Sequence, residues 1–286
     1  MIAVGIDIGA TNVKIVNVDY AGNVLADANF PTTDRWADEI KATVEGERGA
    51  VGVAAPGIAS PDGKTISWMF GRMAGLVDFD WAAHLGRPRV PVLNDAQAAL
   101  LGECWIGAAR GAQNAVMLTL GSGVGGAILC DGRLLRGHIG RAGHLGHMTV
   151  DSAGAPDAVN TPGSLEDAIG EYTLQHRSNG RFTTTKDLLA AVRANDADAR
   201  QVWLSSIRAL GAAIASIINA VDPEVVILGG GVAQAGATLF ELLAKVLDEF
   251  EWRPNGHRVP IVPAQLGDRA GALGAAGQAV NEESST

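Results

Sequence analysis

Cysteine, aromatic side chains and basic charge are all scarce in this chain. Only two cysteines, Cys104 and Cys130, occur in 286 residues, which rules out a disulfide-dense extracellular scaffold. Each sits in an apolar context, Gly-Glu-Cys-Trp and Ile-Leu-Cys-Asp, and reads as a core position in a reducing compartment. Lysine and arginine total 22 against 31 aspartates and glutamates, a formal net charge of -9. That balance opposes association with nucleic-acid phosphates and anionic membrane surfaces, so neither is expected as a partner. No uninterrupted apolar run approaches the ~18 residues that suggest a membrane-crossing helix. The opening Ile2-Ala3-Val4-Gly5-Ile6 has neither the basic stretch nor the long apolar region of an export signal. The expectation is a soluble, cytoplasmic protein. A bound polyanion stays compatible with the charge, because magnesium and backbone N–H groups neutralise phosphate locally.

Glycine is what the chain has in abundance, 37 residues, beside 47% hydrophobic and 19% charged residues, the composition of a turn-rich globular enzyme. The length suits two domains, each with its own core. Residues 2–8 and 13–18 are β-branched runs joined by Gly9-Ala10-Thr11-Asn12, a hairpin with a small, polar tip. A turn at Tyr20-Ala21-Gly22-Asn23 and the run 24–26 add a third strand, and an antiparallel meander at the start disfavours a Rossmann fold. A helix over 37–45 precedes a buried strand over 50–54 that ends at Pro56-Gly57. A strand at 91–93 delivers Asn94-Asp95 to a helix over 96–107. Strands over 115–120 and 125–130 flank a second tip at 121–124. Beyond it the pattern predicts a loop over 152–164, helices over 165–175, 185–194 and 199–220, a strand over 225–228 and a last helix over 270–281. Two hairpins with similar tips suggest duplicated halves.

Four sites in this layout carry chemistry. The first tip places Asp7 at a strand end, suited to hold a magnesium ion directly or through water. Beside it Gly9, Ala10, Thr11 and Asn12 let backbone approach phosphate oxygens; an ordinary β-turn with an exposed Asp is the plain alternative. The second tip, with Gly121, Ser122 and Gly123, offers another N–H cradle and a hydroxyl. Gly229, Gly230 and Gly231 follow a buried strand, where missing side chains leave room for a purine or its ribose; a strand-to-helix turn needing positive φ is the alternative. Asp95 is the candidate acceptor of a proton from an incoming hydroxyl, with Asn94 holding a neighbouring hydroxyl or serving as a helix cap.

These residues resemble the ROK family of bacterial sugar kinases. The likeness covers nearly the whole chain and rests on Asp7 to Asn12, Ala55-Pro56-Gly57, Asn94-Asp95-Ala96 running to Leu101-Gly102-Glu103, and Leu120 through Gly126. It continues in Gly143-His144-Leu145-Gly146-His147, in Gly163-Ser164-Leu165-Glu166, and from Asn219 through Asp222-Pro223 to the three glycines. The resemblance implies an α/β, actin-like ATPase fold of the hexokinase type, ribonuclease H-like and duplicated into two lobes. It implies ATP and sugar meeting in a cleft, Asp95 as general base, His147 and Glu166 on sugar hydroxyls, Gly57 and His144 in the sugar site, and often a homodimer. The expected lobes are residues 1–110 and 111–286, the last helix returning to the first.

Two departures from the family pattern stand out. His144 occupies the place of a glutamate in the family's glutamate-x-glycine-histidine, so a charged acceptor is exchanged for a group that can donate. The zinc site that the family builds from a histidine and three cysteines has no cysteine in 153–164. No structural zinc is expected, and packing is expected to hold that loop. Segment 67–73, before Trp81, either lines a substrate pocket or packs on its own lobe. The reading is an ATP- and Mg2+-dependent kinase of a hexose, with an amino sugar, ketose or cyclitol, or a sugar sensor without kinase activity, as alternatives. A DNA-binding regulator of the same family would need a helix-turn-helix ahead of the first tip.

Overall fold

In the computed structural model, which describes residues 2–71, 73 and 75–284, three strands open the chain: β1 (Ile2–Ile8), β2 (Asn12–Asp19) and β3 (Val24–Pro31). Helix α1 (Trp36–Val44), strands β4 (Val51–Ala55), β5 (Ile58–Ala59) and β6 (Ile66–Trp68), helix α2 (Trp81–Leu85), β7 (Val92–Asn94) and α3 (Asp95–Ile106) follow. Then come β8 (Ala115–Leu120), β9 (Val124–Cys130), β10 (Arg133–Leu134) and helices α4 (Leu165–Ile169), α5 (Leu174–Arg177), α6 (Thr185–Arg193) and α7 (Ala197–Val221). The chain ends with β11 (Val225–Gly229), α8 (Ala237–Phe250), β12 (Ile261–Pro263) and α9 (Ala270–Ser284).

Two mixed sheets have orders β3-β2-β1-β4-β7 and β10-β9-β8-β11-β12. In the first, β1 is antiparallel to β2 and parallel to β4; in the second, β8 is antiparallel to β9 and parallel to β11. The inner strands β4 and β11 are buried along their whole length, which explains why they read as continuous apolar runs without alternation. The chain forms two compact units: residues up to 112 with 134–143 and those from 264 on, and residues 113–133 with 144–263. A single boundary after residue 110 therefore does not describe it, since 134–143 leave the second unit as well as the last helix.

In the first unit, α9 lies on β1 and β4. Its residues Ala272, Leu273 and Ala276 share a core with Ala3, Val16 and Val18. A Cβ on Gly5 would stand 1.8 Å from the Ala272 carbonyl oxygen, and one on Gly52 2.1 Å from that of Ala275, so strand and helix backbones meet where these side chains are missing. Glu103 on α3 is fully buried. Its Oε1 accepts the N–H groups of Gln265 (2.9 Å) and Leu266 (2.8 Å) and its Oε2 that of Ala108 (2.7 Å), which ties α3 to the segment leading into α9.

The second unit packs α7 and α8 over β8 and β11 through Trp203, Ile207, Leu210, Ile214, Leu239 and Leu243, among others. Helix α7 alone among the described residues is long and apolar enough to cross a bilayer by length and composition, but half of its apolar window is buried, as for a core helix. The helix expected over 165–175 is broken at Gly170. The Glu171 and Tyr172 N–H groups there turn to the carbonyls of Gly121 (3.0 Å) and Ser122 (3.1 Å). Arg177 holds the break by donating to the Gly170 carbonyl (2.8 Å) and to the hydroxyl of Ser206 (2.6 Å). The cysteines also depart from expectation: Cys130 is exposed, at the end of β9, Cys104 is half-buried, and neither forms a disulfide.

Candidate active site

Asp7 is the penultimate residue of β1, in register with Lys14 of β2. Its carboxyl is pushed up to about 7, first by burial and then by the charge of Asp95, with Lys14 opposing and Asp268 adding to the rise. The Lys14 ammonium is engaged elsewhere, donating to the Asp268 carbonyl (2.9 Å) and lying 3.5 Å from its carboxylate. The hairpin tip beyond Asp7 closes with the Gly9 N–H on the Asn12 carbonyl (2.9 Å), leaving Ala10 and Thr11 exposed. Thr32 braces the tip from behind: its hydroxyl donates to the Gly9 carbonyl (2.7 Å) and its N–H to that of Thr11 (2.8 Å). The first turn of α9 also approaches, since a Cβ on Gly271 would lie 2.7 Å from the Asp7 carboxylate.

Asn94 and Asp95 stand where β7 gives way to α3, and Asn94 is the helix cap. Its Oδ1 accepts the N–H groups of Ala96 (3.0 Å) and Gln97 (3.4 Å), completing a capping box with Gln97. Its Nδ2 donates to the Gly57 carbonyl (2.9 Å), and its side chain also hydrogen-bonds the Asp95 carboxylate. Gly57 has φ +105, and a Cβ there would meet the Trp68 carbonyl oxygen at 2.5 Å, a conformation and a space that only glycine takes. Asp95 accepts the Ala96 N–H (2.8 Å) and retains exposed surface although protein closely surrounds it. Desolvation raises its carboxyl above the ordinary range, with the Ala96 N–H and Asn94 opposing. A carboxylate made more basic by its surroundings and still open to solvent is suited to take a proton.

In the second unit the glycine tip closes with the Gly121 N–H on the Gly123 carbonyl (2.9 Å), and Ser122 is exposed. Glu166, in the first turn of α4, accepts the Val124 N–H with Oε2 (2.8 Å), and a Cβ on Gly123 would stand 2.3 Å from that same oxygen. The residue expected on sugar hydroxyls is thus anchored to the tip by one oxygen. The three glycines divide: Gly229 closes β11, Gly230 has φ +85 and packs on the Leu120 backbone, and at Gly231 a Cβ would meet nothing within 4 Å. The turn reading fits Gly230, and the open ligand surface fits Gly231.

His144 precedes a 3₁₀ turn over Leu145–His147, and His147 is its last residue. Burial, then His147, holds the His144 imidazole below its ordinary value, and its buried Nε2 has no hydrogen-bond partner. His147 Nδ1 lies 3.1 Å from Asp157 Oδ2. Packing alone does not hold the loop over 153–164, as the sequence reading expects; Asp157 organises it. Oδ1 of Asp157 accepts the N–H groups of Val159 (2.9 Å) and Thr161 (2.8 Å), and its carboxylate also binds the Ser164 side chain. The carboxylate is sealed by its own loop near the surface. Burial pushes it up, but Thr161, His147, Val159 and Ser164 outweigh that and leave it below the ordinary carboxylate value.

Asp157, Thr32 and Lys14 were not singled out in the sequence. Lys14 is detectable in principle, because a hairpin with a four-residue tip sets it opposite Asp7; an aspartate in a polar loop carries no such signal. In segment 67–73, Met69 and Met73 pack on the first unit's core while Trp68 and Phe70 are exposed, and Arg72 lies outside the described residues. Among the described residues no group of three or more histidine, cysteine or acidic side chains is placed to hold a metal ion. The two carboxylates of Asp7 and Asp95 nevertheless suit a hard cation such as Mg2+, which takes few protein ligands and keeps its waters.

Comparison with known proteins fits this arrangement. A glucokinase of Halalkalibacterium halodurans is 32% identical over 308 residues, covering 95% of this chain and 92% of its own. An N-acetylmannosamine kinase of Vibrio cholerae is 31% identical over 233 residues, 80% of this chain and 79% of its own. The crystal structure of a ROK family glucokinase from Streptomyces griseus, in complex with glucose and AMPPNP, superposes with a TM-score of 0.80 at 29% identity, over 98% of this chain and 100% of that one. The ROK family profile itself matches residues 3–282. With that span, both glycine tips, the Asn94-Asp95 helix start and the His144–His147 turn all fall inside the match, and the chain belongs to the ROK family.

Proposed function

We propose that the chain is a cytoplasmic, ATP- and Mg2+-dependent kinase that phosphorylates a hydroxyl of a hexose, on a duplicated two-lobe fold of the actin and hexokinase type. The matching strand order of the two sheets supports the duplication. The observation that carries the activity is the pair of acidic groups at the ends of β1 and β7, which flank β4 in one sheet: Asp7 and Asp95, both shifted upward by burial and Asp7 further by the charge of Asp95. Each has a distinct task in such a reaction. Asp95 takes the proton of the attacking hydroxyl, and its raised basicity strengthens it for that role. Asp7 would hold the magnesium ion, directly or through water; when both are bound, ATP would supply the transferable phosphoryl group and the ion would screen its charge. The tips at Gly9 to Asn12 and Gly121 to Gly123 present backbone N–H groups to phosphate, and the open face at Gly231 admits the adenosine side. Asn94, Gly57, His144, His147 and Glu166 make up the sugar side.

His144 favours a second substrate reading. Its imidazole is held neutral, and its buried Nε2 lacks a partner; a substrate that satisfies that nitrogen gains what a buried orphan costs, about 1–3 kcal/mol. A neutral imidazole neither repels nor requires a charge, so an amino sugar such as the substrate named for the Vibrio relative, a ketose or a cyclitol fits this residue as well as glucose. The enzyme needs no nucleic acid or membrane partner, and a homodimer is its expected assembly.

The test is a coupled ADP-release assay with Mg-ATP against hexoses, N-acetylhexosamines, amino sugars, ketoses and cyclitols. Turnover of one class is the expected result, and Asp95→Asn should lower it by about 10²- to 10⁴-fold while calorimetric binding of nucleotide and sugar is kept. Binding without turnover in the natural chain would replace the kinase with a sensor.

A further inference from the structure

We infer that Asp157 is a positioning residue for sugar recognition, fixing the tautomer of His147 and the start of the helix that carries Glu166. The inference rests on the sugar-kinase reading for what His147 and Glu166 touch, and on the loop geometry for everything else. An ionised carboxylate accepts hydrogen bonds and cannot donate them. With Asp157 Oδ2 3.1 Å from His147 Nδ1, the hydrogen of a neutral His147 must sit on Nδ1, and Nε2 is left as a lone-pair acceptor. The Asp157 side chain is wholly sealed from solvent, while that of His147 is 37% exposed, so the outer edge of the ring is the part a ligand can reach. A sugar hydroxyl then donates to Nε2.

The same carboxylate reaches the second proposed sugar contact. It binds the Ser164 side chain, and Ser164 caps α4 by accepting the Asp167 N–H (3.2 Å). The Leu165 N–H donates to the Met148 carbonyl (2.8 Å), joining the α4 start to the turn that bears His147. One anionic group therefore gathers His147, Ser164 and the loop N–H groups of Val159 and Thr161, the organising task that a metal ion performs in a cysteine-bearing loop.

The discriminating variant is Asp157→Asn. Its amide oxygen can keep the Val159 and Thr161 N–H groups, so the loop survives, but its NH2 faces His147 Nδ1 and forces the hydrogen to Nε2. Long-range 1H–15N correlation spectra of histidine-labelled protein report the tautomer directly. Nδ1–H is expected in the natural chain and Nε2–H in the variant. The KM for sugar should rise roughly 10- to 100-fold with the KM for ATP unchanged and the melting temperature close to that of the natural chain. Nε2–H at His147 in the natural chain overturns the inference, and so does an unchanged sugar KM in the variant. If the natural chain turns over no sugar, the kinase reading has failed by itself; the same two proteins are then compared by sugar titration calorimetry, where equal affinity overturns the inference and a matching loss upholds it. Should Asp157→Asn melt early, Ser164→Ala, which keeps the Asp157–His147 contact, must leave the His147 tautomer unaltered.

Discussion

Asp7 holds its proton to about pH 7 because burial and the nearby Asp95 both oppose its charge. In the unfolded chain the same group loses its proton near the ordinary aspartate value of 3.8. Between those two values the native state binds more protons than the unfolded state, so this group makes stability fall as pH rises through the window. The expected outcome in EDTA is a melting temperature that declines from about pH 4 to pH 7, with Asp7→Asn flattening the decline, followed by differential scanning fluorimetry. Adding Mg2+ should recover stability at the neutral end in the natural chain and not in Asp7→Asn. Equal profiles for the two proteins would mean that Asp7 ionises freely.

Elements meet through single buried groups, and Glu103 is the clearest. Glu103→Ala leaves three backbone N–H groups without their acceptor and should cost roughly 2–4 kcal/mol, read as a lower urea midpoint at unchanged slope. Glu103→Gln, which keeps a carbonyl oxygen, should cost less. At this scale much was legible from sequence. The β-branched runs on either side of Gly9 to Asn12 and of Gly121 to Gly123 are true hairpins, and Asn94-Asp95 does stand at a strand-to-helix junction. What escaped depended on contacts distant in sequence. Helical periodicity over 165–175 carries no sign that Glu171 and Tyr172 give their N–H groups to the tip some fifty residues earlier. Short pieces such as β5, β6 and α2 owe their form to neighbours rather than to period. Cys130 has an apolar neighbour on one side only, and it ends its strand facing solvent. His144 was legible as a substitution, but its unpartnered nitrogen was not, because burial is a property of the fold.

The whole molecule is organised around a chain that returns to its beginning. The second unit has a hydrophobic core formed by its own strands and helices, while the first has α9 against β1, β4 and α3. Truncation after Pro263 should therefore remove hydrogen-exchange protection from β1 and β4 while amides in β8, β11 and α7 remain slow to exchange; uniform loss of protection would mean that the two cores are not separable. The fit of α9 against Gly5 and Gly52 has a further consequence during synthesis. Strands β1 and β4 leave the ribosome long before the helix that covers them, so one of their faces stays bare until α9 has been made. Slower elongation lengthens that interval, and with it the time during which this apolar surface of the newborn chain is open to aggregation.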